Sequence, residues 1–274
     1  MFAVLNITDK VVMSGLGLRV RSFLLFIGFQ TAITGLVIAI VNPYPSLPAE
    51  TWIRGFGIGI LWGVGSPLIL WSLSREEISR VTPISQSHPL LTVILAVVLL
   101  GESLSALEVV AATLAIGGAL LAAVKFAKTG GKFTLSSTVG YLVIAVIFVS
   151  LGQTLVKTVT DDLSFWHVLG LRGAGMGMVL IPMNLRRDIA ADLIRFARGT
   201  KTSFALAIDA GAATVALALI TYSIANGPLS LTSAIIGTTP LVVFFMSAIL
   251  ASKTRLLLDE TLTRKVMTQK LVAA

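Results

Sequence analysis

The chain has 274 residues, of which 55% are hydrophobic and 12% charged, with a formal net charge of +8 and no cysteine. Because a soluble domain carries roughly 25% charged residues, this composition excludes an ordinary soluble protein. The lack of cysteine excludes disulfides, thiolate metal sites and cysteine nucleophiles. The positive charge is compatible with nucleic-acid binding or with membrane topology, and its placement along the chain decides between them.

Apolar stretches of about twenty residues follow one another along the chain. They cover Phe2–Gly17, Ser22–Val41, Gly55–Leu73, Ile84–Leu100, Ala106–Val124, Val139–Val156, Phe165–Met183, Ser203–Ala225 and Leu231–Ala251, numbered here as spans 1 to 9. A helix needs about 20 apolar residues to cross the hydrocarbon core, and lipid forces each segment to satisfy its own backbone hydrogen bonds. The sequence therefore predicts an all-α polytopic transmembrane helical bundle.

The two ends of the chain depart from this pattern. Span 1 is short and carries Asp9 and Lys10. A tenth segment, Leu256–Ala274, begins apolar but contains Arg264 and Lys265. We therefore expect nine to ten spans, with the first and last shortened.

Three of the connections between spans have distinctive compositions. Asn42–Pro48 is proline-rich and cannot be helical, and Thr129–Lys132 is a flexible glycine-containing segment near the middle. The connection from Asn184 to Thr202 alternates arginines with apolar residues. It predicts either an amphipathic helix on an anionic membrane surface or a solvated basic loop.

All but four of the 21 Lys and Arg residues lie in alternate connections, namely loops 1-2, 3-4, 5-6 and 7-8 and the region after span 9. The exceptions are Lys10, Arg54, Lys157 and Arg172. Cytoplasmic loops are rich in Lys and Arg, so these connections are expected in the cytoplasm and the N-terminus outside. Topology thus explains the net charge, and we expect no nucleic-acid partner.

An internal repeat relates the two halves of the chain. Trp71-Ser72-Leu73 precedes Pro89 by the spacing at which Tyr222-Ser223-Ile224 precedes Pro240, and Glu102 and Glu260 follow in the two copies. Further upstream, Gln30 is aligned with Arg172, and Lys10 with Lys157, at offsets shorter than that of the two prolines. The predicted domains are residues 1–126 and 139–274, joined by a linker at 127–138. Five spans per copy, an odd number, predict inverted repeats, the architecture of secondary transporters with a midplane substrate site.

The segment from Pro89 through Gly101-Glu102-Ser103-Leu104-Ser105 to Gly117-Gly118-Ala119-Leu120-Leu121 resembles the EamA-type domain of the drug/metabolite transporter superfamily. The second copy, Pro240 to Thr263, resembles it more weakly, since Asp259 replaces the usual glycine. The resemblance implies a ten-helix bundle that exports or exchanges small metabolites, such as amino acids, nucleotide sugars or sugar phosphates. It also implies cytoplasmic termini, in contrast to the charge distribution.

Polar and proline residues in spans 3, 4 and 9 are candidate substrate-binding groups. Pro89 and Pro240 are placed inside spans 4 and 9, where a proline would free a carbonyl and kink the helix. The flanking polar residues would bind substrate or join helices. Trp62 and Ser66 share one face of span 3 and are candidates as well. The polar and aromatic candidates are therefore Trp62, Ser66, Ser85, Gln86 and Thr238.

Charged residues inside the apolar spans are the strongest functional signals. A charge at the bilayer centre costs on the order of 3 kcal/mol, so it persists where it pairs or works. Arg172 and Asp209 are predicted to pair with each other, to bind a substrate carboxylate (Arg172), or to relay a proton (Asp209). Lys10 and Lys157 are candidate anion sites or snorkelling side chains. Glu102 is expected to cap a helix N-terminus, as is its counterpart in the second copy.

Other functional classes find little support. The two histidines are not arranged as His-Glu-x-x-His, and no phosphate-binding G-x-x-x-x-G-K-[ST] loop is present, so neither metal catalysis nor ATP-driven transport is expected. We expect no enzyme and no cofactor. The alternatives to a carrier are an uncoupled channel or a membrane scaffold, and the alternative among carriers is an antiporter of the nucleotide-sugar or sugar-phosphate type.

The sequence therefore predicts a secondary active transporter of small polar metabolites, working by alternating access. Its partners would be the substrate, the lipid bilayer and a coupling proton or counter-substrate. It is expected in the inner (plasma) membrane as a monomer or homodimer.

Overall fold

The computed structural model describes residues 4–5, 8–9, 11–75, 81, 84–85, 87–103, 106, 109–110, 114 and 137–239. Within these ranges the regular structure is helical and contains no strand. A π-helical turn at Val11–Gly15 precedes the α-helices. These are α1 (Val20–Val41), α2 (Ala49–Leu73), α3 (His88–Leu100), α4 (Ser137–Val159), α5 (Phe165–Asn184), α6 (Arg187–Ala197), α7 (Thr200–Asn226) and α8 (Leu229–Gly237).

Four of the described helices, α1, α2, α4 and α7, are long and apolar enough to cross a membrane. The helices α5 and α6 are long and apolar enough to cross a membrane only when they are counted as one segment. The chain bends by 111° at the break between them. The described part of the chain thus holds four or five membrane-crossing helices. The predicted all-α polytopic membrane protein is confirmed.

Most helix bounds agree closely with the predicted spans, and α2 is the main exception. It begins at Ala49 rather than at Gly55. The carbonyl of Pro48 accepts hydrogen bonds from the backbone N–H groups of Thr51 and Trp52, and Glu50 pairs with Arg54 one turn later. These bonds stabilise a polar first turn that hydropathy alone excludes. Span 5, most of span 9 and the tenth segment lie largely outside the described residues.

The chain forms two compact units, each built from both halves of the sequence. The first combines Met1–Pro67 with Leu151–Gly227, and the second combines Leu68–Ser150 with Pro228–Ala274. The predicted repeats at 1–126 and 139–274 are defined by sequence similarity, whereas the two units are defined by which residues pack together. The two divisions of the chain therefore differ. The domain boundaries drawn from the repeat stay a prediction.

In the first unit, small residues bring α1 and α2 into backbone contact with α5. A Cβ at Gly35 would lie 2.7 Å from the carbonyl oxygen of Gly170, and a Cβ at Gly59 would overlap the carbonyl oxygen of Arg172. A Cβ at Gly175 would lie 2.9 Å from the Cα of Gly59. Such seams are how membrane helices associate, because lipid offers no hydrophobic driving force between helices.

In the second unit, α3 packs against α8, and Glu102 ties the two helices together. The helix α3 ends at Gly101, which adopts a left-handed conformation with φ 68°. The Glu102 carboxylate then accepts hydrogen bonds of 3.0 Å from the backbone N–H groups of Leu229 and Ser230, at the start of α8. Glu102 therefore caps a helix N-terminus, and the helix that it caps in the described part of the chain, α8, is distant from it in sequence.

We expect Glu102→Ala to lower the thermal unfolding temperature of the purified protein. Removal of the carboxylate leaves two N–H groups at the start of α8 without their acceptor, which costs about 1–3 kcal/mol. The matched control is Glu50→Ala, since Glu50 forms an exposed pair with Arg54 and such pairs contribute little. Equal melting temperatures for the two variants would contradict the capping role.

The connection after α5 forms the helix α6, so the alternative of a solvated basic loop is wrong for Arg187–Ala197. Ile189 is buried, and the Asp192 carboxylate accepts a 2.6 Å hydrogen bond from Ser22 at the start of α1. The helix is thus held against the first unit. Its contact with a membrane surface stays a prediction.

Candidate functional site

The structure divides the predicted site residues between the two units. Trp62, Ser66, Lys157, Arg172 and Asp209 belong to the first unit, and Ser85, Pro89 and Thr238 belong to the second. Three more predicted residues, Lys10, Gln86 and Pro240, lie outside the described residues. The units are therefore taken separately.

The centre of the first unit is a buried arginine stacked on a tryptophan. Arg172 on α5 is only 1% exposed, and its Cζ lies 4.0 Å from the centroid of the Trp62 ring on α2. None of its three side-chain nitrogens has a hydrogen-bond partner among the described residues. Stacking on an aromatic face stabilises the cation but leaves every N–H in the guanidinium plane unsatisfied.

Close helix packing creates this stack. Gly59 and Trp62 are separated by about one turn of α2, as Arg172 and Gly175 are on α5. The Gly59–Gly175 contact therefore brings the arginine level with the tryptophan. On another side, a Cβ at Gly152 of α4 would lie 2.8 Å from Cδ1 of Trp62. The ring is held between α5 and α4, so the position of the guanidinium above it is fixed.

A narrow cleft opens beside Arg172 between α1, α5 and α7. The cleft has a largely apolar wall, and it is lined by Arg172 together with Gln30, Thr31, Thr34, Leu169, Met176, Thr214 and Leu217. The amide of Gln30 donates a 2.8 Å hydrogen bond to the hydroxyl of Thr214, which joins α1 to α7 across the cleft. Its volume is about 10 Å³, about what one water molecule needs. A metabolite cannot enter it unless the helices move.

Two further polar side chains are buried in this unit without partners. Ser66 was predicted as a site residue, and its hydroxyl has no hydrogen-bond partner among the described residues. Gln153 was not predicted, yet it is 1% exposed and neither atom of its amide has such a partner. The available signal was its position in the apolar span Val139–Val156, where an amide is costly.

Asp209 on α7 is the second buried charge position of the unit. It is 2% exposed, accepts a 2.7 Å hydrogen bond from the hydroxyl of Thr8, and lies beside the carboxyl of Asp9. Two neighbouring carboxylates repel each other, which favours a proton on one of them. The suggested ion pair between Asp209 and Arg172 is not formed, since the guanidinium is unpaired in the described part of the chain.

Lys157 was a candidate anion site, and here the structure requires a correction. Its Nζ donates hydrogen bonds to the carbonyl oxygens of Ile224 (3.2 Å) and Gly227 (3.0 Å). These carbonyls lie at the C-terminal end of α7, where the backbone lacks its own donors and a cation is favourable. Lys157 thus caps α7 rather than presenting its charge to an anion.

The placement of Pro89 in a helix interior is also wrong. Pro89 is the second residue of α3, a position where the missing N–H breaks no hydrogen bond. The carbonyl oxygen of Ser85, four residues earlier, lies 3.0 Å from Nδ1 of His88. The imidazole of His88 therefore satisfies a carbonyl oxygen to which the backbone nitrogen of Pro89 cannot donate. Thr238 is exposed, and its hydroxyl donates to the carbonyl of Ile235.

A larger groove of about 610 Å³ runs along α5 in the first unit, but its lining is almost entirely apolar. Its main polar group is Tyr44, whose hydroxyl donates a 3.3 Å hydrogen bond to the carbonyl of His167. Burial raises the pKa of Tyr44 above its ordinary value, so the phenol stays a neutral donor. Leu36 and Met178 at the groove are 61% and 60% exposed. This groove suits lipid chains rather than a polar metabolite.

Comparison with known proteins bears on the family and the fold. The profile of the EamA-like transporter family matches residues 10–124, which confirms the resemblance for that part of the chain. No curated protein matches the sequence. Several solved structures match, among them a crystal structure with a TM-score of 0.62 over 99% of this chain and 90% of that chain, at 14% identity. This likeness shows the fold alone.

Proposed function

We propose that this chain, whose residues 10–124 form an EamA-like transporter domain, is a secondary active transporter of small polar metabolites such as amino acids. It exports or exchanges them across the inner (plasma) membrane by alternating access. The family supports a membrane transporter, and the substrate class and mechanism are inferred from the first unit.

The observation that carries the proposal is the unpaired guanidinium of Arg172. A charge inside membrane-crossing helices costs several kcal/mol unless it is paired or used. Lys157 and Asp209, two other charged residues of this unit, have polar partners from the protein. Arg172 has none among the described residues. A polar solute that enters the unit would supply the missing hydrogen bonds.

Two features support alternating access over a channel. The cleft at Arg172 has room for about one water molecule, so solute binding requires helix movement, as a carrier demands and an open pore does not. In addition, Gln30 and Arg172, which the predicted repeat aligns with each other only at a shorter offset than its prolines, line the same cleft. This is the arrangement expected where two inverted repeats meet.

The test is counterflow in proteoliposomes that contain the purified full-length protein. Liposomes preloaded with an unlabelled amino-acid mixture should transiently accumulate labelled amino acids above the external concentration. A channel would only equilibrate the label, and a scaffold would not move it. Either of these results would overturn the carrier proposal.

We expect Trp62→Ala to reduce the counterflow rate at least about tenfold, because a desolvated cation–π contact is worth ~2 kcal/mol and the ring also fixes the guanidinium. The control is Trp166→Ala. Trp166 is 47% exposed and stacks on the neighbouring Phe165. If both variants transport at the wild-type rate, the stack has no part in transport.

A further inference from the structure

We infer that the transported solute carries a carboxylate, and that this carboxylate binds edge-on to the guanidinium of Arg172 while Trp62 covers one guanidinium face. The inference rests on the proposed function and narrows it to monoanionic or zwitterionic carboxylic acids.

The first step is a balance of charges in the first unit. Lys157 is held by two carbonyl oxygens. Asp209 accepts a hydrogen bond from the Thr8 hydroxyl and lies beside the carboxyl of Asp9. Neither group neutralises Arg172, which has no hydrogen-bond partner in the described ranges. No carboxylate among the described residues therefore neutralises Arg172, and an anionic solute would supply this counter-charge.

The second step concerns the shape of that anion. The Trp62 ring lies 4.0 Å from Cζ and blocks one face of the guanidinium, so a ligand reaches the N–H groups along the edge. Parallel N–H groups in that plane match the two oxygens of a carboxylate. Because the tryptophan is packed against Gly152, the fork is held in one orientation.

The third step concerns its charge. One carboxylate neutralises one guanidinium, whereas a phosphate ester at neutral pH carries between −1.5 and −2 charges, roughly. In a buried site with a single unpaired cation, the excess negative charge would be strongly unfavourable. Thr31, Thr34 and Thr214 line the same cleft, but their hydroxyls donate to backbone carbonyls of their own helices and are not free donors for a solute. The charge balance therefore favours a carboxylic acid over a sugar phosphate.

The experiment measures thermal unfolding of the purified full-length protein with a panel of the twenty amino acids, lactate, succinate, inorganic phosphate and glucose. The strongest stabiliser is then compared with its own carboxamide. We expect that stabiliser to be a carboxylic acid, and at least tenfold more carboxamide to be needed for the same shift. Stabilisation by phosphate or glucose alone, or equal potency of acid and amide, would overturn the inference while leaving a carrier possible. If no compound stabilises the protein or is counter-transported, the proposed function itself fails.

A second readout needs no transport. Arg172→Gln removes an unpaired buried charge, so the solute-free variant should unfold at the same temperature as the wild type or higher, and the stabilising acid should no longer shift it. Arg54→Gln is the control, because Arg54 pairs with exposed Glu50, and it should keep the full shift. A large drop in the unfolding temperature of solute-free Arg172→Gln would assign Arg172 a purely structural role and overturn the inference.

Discussion

Gly59→Ala is expected to destabilise the protein and to abolish most of its transport. The added methyl group would overlap the carbonyl oxygen of Arg172 and approach the backbone of Gly175 and Met176 to 2.7 Å. Since these are backbone atoms, no side-chain rotation relieves the contact, and α2 and α5 must separate. Overpacking of this kind costs about 1–3 kcal/mol, and the same displacement would lift Arg172 from Trp62. Thermal unfolding and counterflow of the purified variant measure the two effects.

Gly211→Ala provides the matched control for this substitution. Gly211 lies in α7, another membrane-crossing helix, and a Cβ there meets nothing within 4 Å. Alanine is up to about 1 kcal/mol more favourable than glycine in a helix interior, so this variant should be as stable as the wild type or slightly more so. If Gly59→Ala behaved like Gly211→Ala, the close α2–α5 seam described above would be incorrect.

The helices could be predicted because lipid leaves the chain few choices. Apolar runs of sufficient length become helices, and α1, α4, α5 and α7 lie where hydropathy placed them. The prediction failed where a helix end depends on local hydrogen bonds. The first turn of α2 is polar, and the break before Pro89 lies inside a region that had been assigned to one continuous span.

For the candidate site, the sequence could predict the important charged residues but not their contacts. Arg172 and Asp209 stood out because a charge in an apolar span needs a function or a partner. Their contacts could not be predicted, because the stack on Trp62 and the contacts of Asp209 with Thr8 and Asp9 join helices far apart in sequence. Periodicity places a residue on a face of its own helix, but tertiary packing decides what that face meets.

Lys157 illustrates the opposite error. Its charge near the end of a span suggested an anion site, since a sequence shows a cation without showing the carbonyl oxygens around it. The end of α7 supplies two of these oxygens. A buried cation therefore indicates a ligand only once its protein partners have been counted, and that count separates Lys157 from Arg172.

Asp209→Asn is expected to uncouple transport from the proton gradient. The carboxyl groups of Asp209 and Asp9 are neighbours, and because two adjacent carboxylates repel each other, we expect one proton to be shared between them. Asparagine preserves the size of the side chain and the oxygen that accepts from Thr8, but it cannot release or take up a proton. Solute counterflow should therefore persist, while accumulation driven by an imposed pH gradient, and the pH dependence of the rate, should both disappear.

The control for this variant is Asp162→Asn, which removes a carboxylate from the turn between α4 and α5, where it accepts a hydrogen bond from Thr51. We expect this variant to retain gradient-driven accumulation, because Asp162 is exposed and shares no hydrogen bond with another acid among the described residues. Asp9→Asn should reproduce the uncoupling, since it removes the other member of the proton-sharing pair. If Asp209→Asn transported with unchanged pH dependence, the pair would serve only to hold the N-terminal segment on α7. Coupling would then have to be assigned to a counter-substrate that competes for Arg172.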